Sequence, residues 1–388
     1  MKKKINHILP ALVLTASLGL TTVSCNGFLD EMPDNRTELN TDQKIAKLLV
    51  SAYADVSPNE LFELYSDNSD DSGPTYGYYK LSEQECYHWQ DTKEEYQDTP
   101  NSLWGGYYSA IAAANMALNA IEEKGNPASL DPQRGEALVC RAYCHFMLAN
   151  IFCNAYDTHA SQSLGVPYME EVETTVSPRY ERGTLEEVYR KVERDLLEGI
   201  DLISDDSYSV PKYHFTRKAA YAFAARFYLY YMKPDFSNCD RVIDFATRVL
   251  GTNPADLLRN WEALGNLSVN GNVQADAYIA SSNEANLLIS STVSNWGAIG
   301  SDYLIGPRYF HNQTLATSET CLSSGLWGSS DYFYLKPFST NGFVASILRK
   351  SGLYEGTYLY YMPVLFSTDE TLPVSYTHLR AHETCADL

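Results

Sequence analysis

Three small groups of side chains in this 388-residue chain have types and spacings that chemistry could use. The first is Thr22-Val23-Ser24-Cys25, small residues ahead of a cysteine, preceded by Lys2, Lys3 and Lys4 and a mostly apolar run from Ile8 to Leu20. This is the layout of a bacterial lipoprotein leader, in which the thiol of Cys25 is diacylated and residues 1–24 are removed. An ordinary secretory leader with Cys25 incidental is the competing reading; the usual leucine three positions before the cysteine is Thr22 here. The second group is Asp67, Ser69, Asp70 and Asp71 before Gly73, oxygen ligands at alternate spacing. It lacks the glycine at the sixth place and the glutamate at the twelfth that a Ca²⁺ loop uses, so a solvated loop is the simpler reading. The third is Cys140, Cys144 and Cys153. With no matching second cluster they read as small hydrophobes rather than zinc ligands. Cys86, Cys239 and Cys321 could pair in an exported protein, with the connectivity open.

A fourth group lies in the tail: His378 and His382 at i, i+4, then Glu383 and Cys385, the spacing of a metal face on a helix. Against it, Val374 to Thr384 reads like a translated sequencing-library adapter. Residues 374–388 are therefore taken as foreign, with no metal site assigned. Gly-x-Ser-x-Gly, His-Glu-x-x-His and Walker motifs are absent from the sequence. A carboxylate pair for glycoside hydrolysis is defined in space rather than in sequence, so 49 acidic residues leave that chemistry open.

Composition narrows the classes. The formal charge is −20, and removing the three leader lysines takes it to −23, which argues against nucleic acid as a partner. The same charge is repelled by anionic lipid, so a lipid chain on Cys25 is the expected link to a membrane. No apolar run reaches the ~20 residues of a membrane span. Tyr outnumbers Phe by 30 to 14, which points to flat amphipathic contact surface more than to core.

Helices must position whatever binds. Thr41 can cap a helix with Ile45, Leu48, Leu49, Ala52, Tyr53 and Val56 on one face. Leu103 to Glu123 carries a stripe ended by Gly125, and Gln133 to Ile151 is apolar almost all round. Thr184 to Ile203 turns Leu185, Val188, Tyr189, Val192, Leu196 and Ile200 inward. Thr216 to Met232 is again apolar all round, Pro234 breaks it, and Cys239 to Leu250 follows. That last pair spans the size of one tetratricopeptide-like unit, and 133–203 reads as a second pair split by an insertion at about 154–183. Two stretches, 67–100 and 266–366, are rich in Asp, Ser, Gly, Asn and aromatics and read as loops and short strands on that scaffold.

In order along the chain stand Cys25-Asn26-Gly27-Phe28-Leu29-Asp30 with Pro33; Trp104-x-x-Tyr107-Tyr108-x-x-Ile111 with Ala114-Asn115; and Arg141-Ala142-Tyr143-x-x-Phe146. Gly165-Val166-Pro167, Arg182-x-Thr184 leading to Val188-Tyr189 and Asp195-Leu196, and Arg217-Lys218-Ala219-Ala220 with Ala224, Ala225, Arg226, Tyr228 and Leu229 complete the set. This ordered set resembles the SusD/RagB family, surface lipoproteins that Bacteroidetes pair with TonB-dependent transporters for glycan uptake. The resemblance implies a mostly α fold, a tetratricopeptide-like scaffold with an irregular, loop-rich ligand-binding part. It implies no catalysis and no cofactor. It also implies a SusC-like TonB-dependent transporter as partner, a glycan ligand, and an outer-membrane, cell-surface location through the lipid anchor. The alternatives are an exported glycoside hydrolase, or a peptide- or glycopeptide-binding member of the same family. The family's Arg-rich closing helices have no counterpart here, so residues 25–373 are read as an incomplete domain. Carried over to Glu85-Cys86-Tyr87-His88-Trp89-Gln90, the family's aromatic platform falls on Trp89, with Tyr87 or His88 as aromatic neighbour. Tyr76, Tyr78 and Tyr79 lie in the same loop; Trp296, Tyr303 and Trp327 are the candidates in the second irregular stretch.

Overall fold

Short polar residues cap the helices where the sequence places them. The computed structural model describes residues 39–294, apart from 68, 72, 75–79, 96, 176–177 and 268–272, together with 308–310. Met1–Asn40 and Thr41–Leu388 separate as two compact units, and every element below belongs to the second. Thr41 accepts a hydrogen bond from the Lys44 amide to start α1 (Asp42–Leu48), which buries Ile45 and runs on as a 3₁₀ turn, Leu49–Ala52. Two short helices follow, α2 (Asn59–Leu64) and α3 (Leu81–Tyr87), with β1 (Asp70–Asp71) between them. The scaffold proper is α4 (Pro100–Glu123), α5 (Asp131–Phe152), α6 (Leu185–Leu202), α7 (Arg217–Tyr230) and α8 (Cys239–Leu250). Two short helices, α9 (Trp261–Gly265) and α10 (Val273–Tyr278), come next, and β2 (Tyr309–Phe310) pairs antiparallel with β1.

Within the scaffold α5 packs on both α4 and α6, and α7 packs on α8. The α5–α6 crossing is close because glycine faces glycine. A Cβ on Gly135 would lie 2.8 Å from the Gly199 carbonyl, and one on Gly199 would meet the Gly135 carbonyl at the same distance. A Thr184–Glu187 capping box starts α6, whose six expected inward residues are all buried. Each such side chain contributes about 1.5–3 kcal/mol by leaving water. The fold is mostly α, with the tetratricopeptide-like helix pairs that the periodicity indicates.

The insertion between α5 and α6 is held down by polar groups. Arg141 donates to Asp195 at 2.6 Å and to Asn115 at 3.0 Å, joining α5 to α6 and α4. Asn115 in turn donates to the Met169 and Glu171 carbonyls, Tyr168 donates to Asp195, Tyr108 to the Pro167 carbonyl and Arg182 to the Gly165 carbonyl. His145 completes the set. Burial pushes its pKa down to about 3, so the ring is neutral: Nε2 accepts from the Met169 amide and Nδ1–H donates to the Arg141 carbonyl. The motif residues that carry the family resemblance thus dock the insertion onto the helices.

Three expectations change. Both stretches read as loops and short strands contain a helix: α10 in 266–366, and in 67–100 α3, whose buried face is Ser82, Glu83, Glu85 and Cys86; hydrophobic periodicity does not register a face made of acids. The apolar α7 is buried only as far as Tyr228, since Leu229 and Tyr230 are exposed at its end. Cys86 and Cys239 are both free thiols. Cys25, the 374–388 tail and Cys321 lie outside the described residues.

Candidate functional site

The last turn of α3 builds an aromatic ledge. The Gln90 amide donates to the Glu85 carbonyl at 2.7 Å and the Trp89 amide to the Cys86 carbonyl at 2.9 Å. This pair of bonds is a Schellman closure, and it places Trp89 at the position where the backbone turns left-handed, at φ 55°. Glycine usually occupies that position, because a Cβ there costs about 1–2 kcal/mol. Here a tryptophan does, and its indole is 74% exposed. The backing ring is Tyr65, just past α2, with centroids 4.6 Å apart and planes tilted 40°. Tyr65 is half-buried, and burial together with the neighbouring Cys86 thiol raises its hydroxyl pKa.

Tyr87 does not join Trp89. Its ring lies 4.8 Å from that of Tyr309 on β2, and its hydroxyl pKa is raised by burial and by the Asp70 carboxylate. The β1–β2 ladder beside it is clamped by Arg308, which donates twice to Asp71 at 2.7 Å; these bonds hold the Asp71 carboxyl below its ordinary range. The acidic knot of the sequence is therefore part of a strand pair, and Asp70 also accepts from the Asp71 amide. Tyr76, Tyr78, Trp296 and Tyr303 lie outside the described residues. Tyr65 is the aromatic that sequence reasoning missed: 24 positions from Trp89, it has no spacing signal that would connect the two.

Around α3 lie Glu60, Glu83, Glu85 and Asp98, each no more than 5% exposed. The Lys80 ammonium lies 3.8 Å from both Glu60 and Glu83. Burial pushes the Glu60 pKa up to about 8 and that of Glu83 to about 6, against the pull of Lys80. Glu85 accepts from the Lys93 amide, and Glu94 accepts from the Ser82 amide at the first turn of α3. Glu60, Glu83, Glu85 and Asp98 are closed off from solvent, so none of these four can serve as the acid or base of a glycoside hydrolase acting on an external chain. What the surface offers is a flat indole beside exposed His88, Gln90 and Asp91. A pyranose ring matches that combination: its C–H face lies on an aromatic ring while its hydroxyls exchange hydrogen bonds with polar neighbours.

A family model described as "Starch-binding associating with outer membrane" matches residues 27–229. The chain belongs to the SusD-like family. Among solved structures, it resembles a SusD superfamily protein from Bacteroides vulgatus ATCC 8482 at 20% identity and a TM-score of 0.52, over 71% of this chain and 61% of the other. A SusD superfamily protein from Bacteroides thetaiotaomicron VPI-5482 matches at 19% identity and a TM-score of 0.47, over 58% and 48% of the two chains. A putative sugar binding protein from Bacteroides vulgatus ATCC 8482 matches at 23% and 0.46, over 60% and 52%. The chain thus spans about half the length of these structures. No curated protein sequence matches it. Among the described residues, no helix of this SusD-like chain is long and apolar enough to cross a membrane.

Proposed function

We propose that this SusD-like chain is a non-catalytic glycan-binding lipoprotein of the outer membrane, tethered at the cell surface through Cys25. It captures an oligosaccharide and delivers it to a SusC-like TonB-dependent transporter. The observation that carries the binding reading is the exposed Trp89 indole, held in a left-handed backbone position against Tyr65. A bulky aromatic that is both strained and solvent-exposed adds little to the core, which favours a ligand-facing role. In this reading Trp89 stacks the sugar, His88, Gln90 and Asp91 meet its hydroxyls, and Tyr87, whose ring lies 5.2 Å from that of His88, is a further contact. Tyr76, Tyr78, Trp296 and Tyr303 are proposed as further contacts, and residues 25–373 as the binding domain.

Native affinity electrophoresis against a panel of polysaccharides tests the reading. The wild type should be retarded without releasing reducing ends, and Trp89→Ala should weaken binding roughly tenfold, about 1.4 kcal/mol. Retardation unchanged in Trp89→Ala would remove the ledge from the site, and released reducing ends would favour the hydrolase alternative. For the tether, Cys25→Ala should shift the protein from the membrane fraction to soluble or uncleaved material.

A further inference from the structure

A cavity of about 450 Å³ has a lining that shares none of the ledge residues named above. Its walls come from three places: Val50 to Asp55 after α1, Gly106, Ser109 and Ala110 on α4, and Tyr213 with Ile289, Ser290 and Ser291. Two backbone bonds pin the last segment as a strap. The Ile289 amide donates to the Lys212 carbonyl at 2.8 Å and the Val293 amide to the Asp55 carbonyl at 2.6 Å. The strap can close down because position 106 is glycine; a Cβ there would lie 2.4 Å from the side chain of Val56, whose backbone forms a parallel bridge with Val293.

The floor is rigid. Tyr53 stacks on Phe215 at 5.7 Å, donates to the buried Glu136 carboxylate at 2.7 Å and accepts from the Phe215 amide at 2.7 Å. Val50, Ala54, Ala110 and Ile289 give the rest of the lining an apolar part, and its polar side chains are unengaged. The hydroxyls of Ser51, Ser109, Ser290 and Ser291 and the Asp55 carboxylate bond to no described residue. Tyr213 adds a ring that is 50% exposed.

That inventory selects a ligand chemistry. No cationic side chain among the described residues lines the cavity, and the nearby Lys212 ammonium is taken by the Asn283 carbonyl at 2.7 Å, so an anion has no described cation to pair with. One carboxylate is too few for a metal ion. Hydroxyls, one acceptor and a flat ring are what an uncharged polyol needs. We infer that this cavity is a second binding site, taking a short stretch of uncharged sugar independently of the Trp89 ledge.

Ligand-observed saturation-transfer NMR of the full chain with maltotriose and laminaritriose tests this, in a Trp89→Ala background that removes the ledge. At least one of the two probes should keep contact with the protein at millimolar concentration. Adding Ser109→Trp, a change at an exposed position of α4 that fills the cavity, should cut that signal at least tenfold. Ser290→Ala with Ser291→Ala, which removes hydroxyls without adding bulk, should weaken it several-fold. Circular dichroism of each variant should match the parent. Loss of all contact in Trp89→Ala alone would overturn the inference, as would contact indifferent to both cavity variants. Glucuronate or glucosamine displacing the neutral probes from the cavity would overturn the assigned class. A wild type that contacts neither probe would overturn it as well. The Proposed function fails separately, through polysaccharide retardation that ignores Trp89.

Discussion

Two of the groups of charged side chains buried among the described residues follow opposite rules. Around Arg141, between α4, α5 and α6, each charge meets a partner: Asp195 at 2.6 Å, Asn115 at 3.0 Å, and the carbonyls of the docked insertion. Around α3, the carboxyls of Glu60 and Glu83 share the one Lys80 ammonium at 3.8 Å, too long for a hydrogen bond, and Glu60 Oε2 and Glu83 Oε1 accept none from a described residue. The first group is organised for holding helices together. The second is a local conflict around α3, the helix whose end carries the left-handed Trp89. Local conflicts of this kind concentrate at functional sites.

Breaking the satisfied network should have the largest effect. Arg141→Ala removes the buried one of the two guanidiniums on Asp195, leaving only the half-exposed Arg194 as its cation and Asn115 Oδ1 without its donor, and urea unfolding should show a loss of about 3 kcal/mol. The conflicted cluster should respond to pH instead. Folding raises the Glu60 and Glu83 pKa values from an ordinary 4.5 to about 8 and about 6, so the folded chain holds protons that the unfolded chain has released. This stability is fully present below pH 4.5 and is lost as pH rises through 6 and then 8, on the order of a few kcal/mol in all. Denaturation midpoints measured from pH 5 to 9 should fall, and Glu60→Gln should flatten most of the slope. A smaller effect should separate strain from contact at Trp89. Trp89→Gly and Trp89→Ala both remove the indole from Tyr65, but only glycine relaxes the left-handed backbone. Trp89→Gly should therefore be about 1 kcal/mol more stable than Trp89→Ala in thermal unfolding.

The contrast also explains what could be read from sequence. Helices α4 to α8 announce themselves because their buried faces are Leu, Ile, Val, Ala and aromatics at helical spacing, with Thr99, Thr184 and Thr216 as caps. Asn115, Arg141, Gly165 and Asp195 are visible as motif residues, yet only the structure shows that they meet. Helix α3 is hidden because its inward residues are Glu83 and Glu85, and its first turn is bonded by Glu94, twelve positions from Ser82. Trp89 can be picked out by family likeness, but its backbone geometry runs against the glycine preference of that position. Tyr65, its partner, comes from another helix altogether.

The central claim is that Trp89 is kept for a ligand at the expense of the fold. Calorimetric titration of Trp89→Gly with a polysaccharide that retards the wild type tests it most directly, with the variant's thermal midpoint measured alongside. The account expects glycan affinity to drop at least tenfold while stability stays above that of Trp89→Ala. Wild-type affinity in Trp89→Gly would contradict it, showing that the exposed indole is not where the glycan binds.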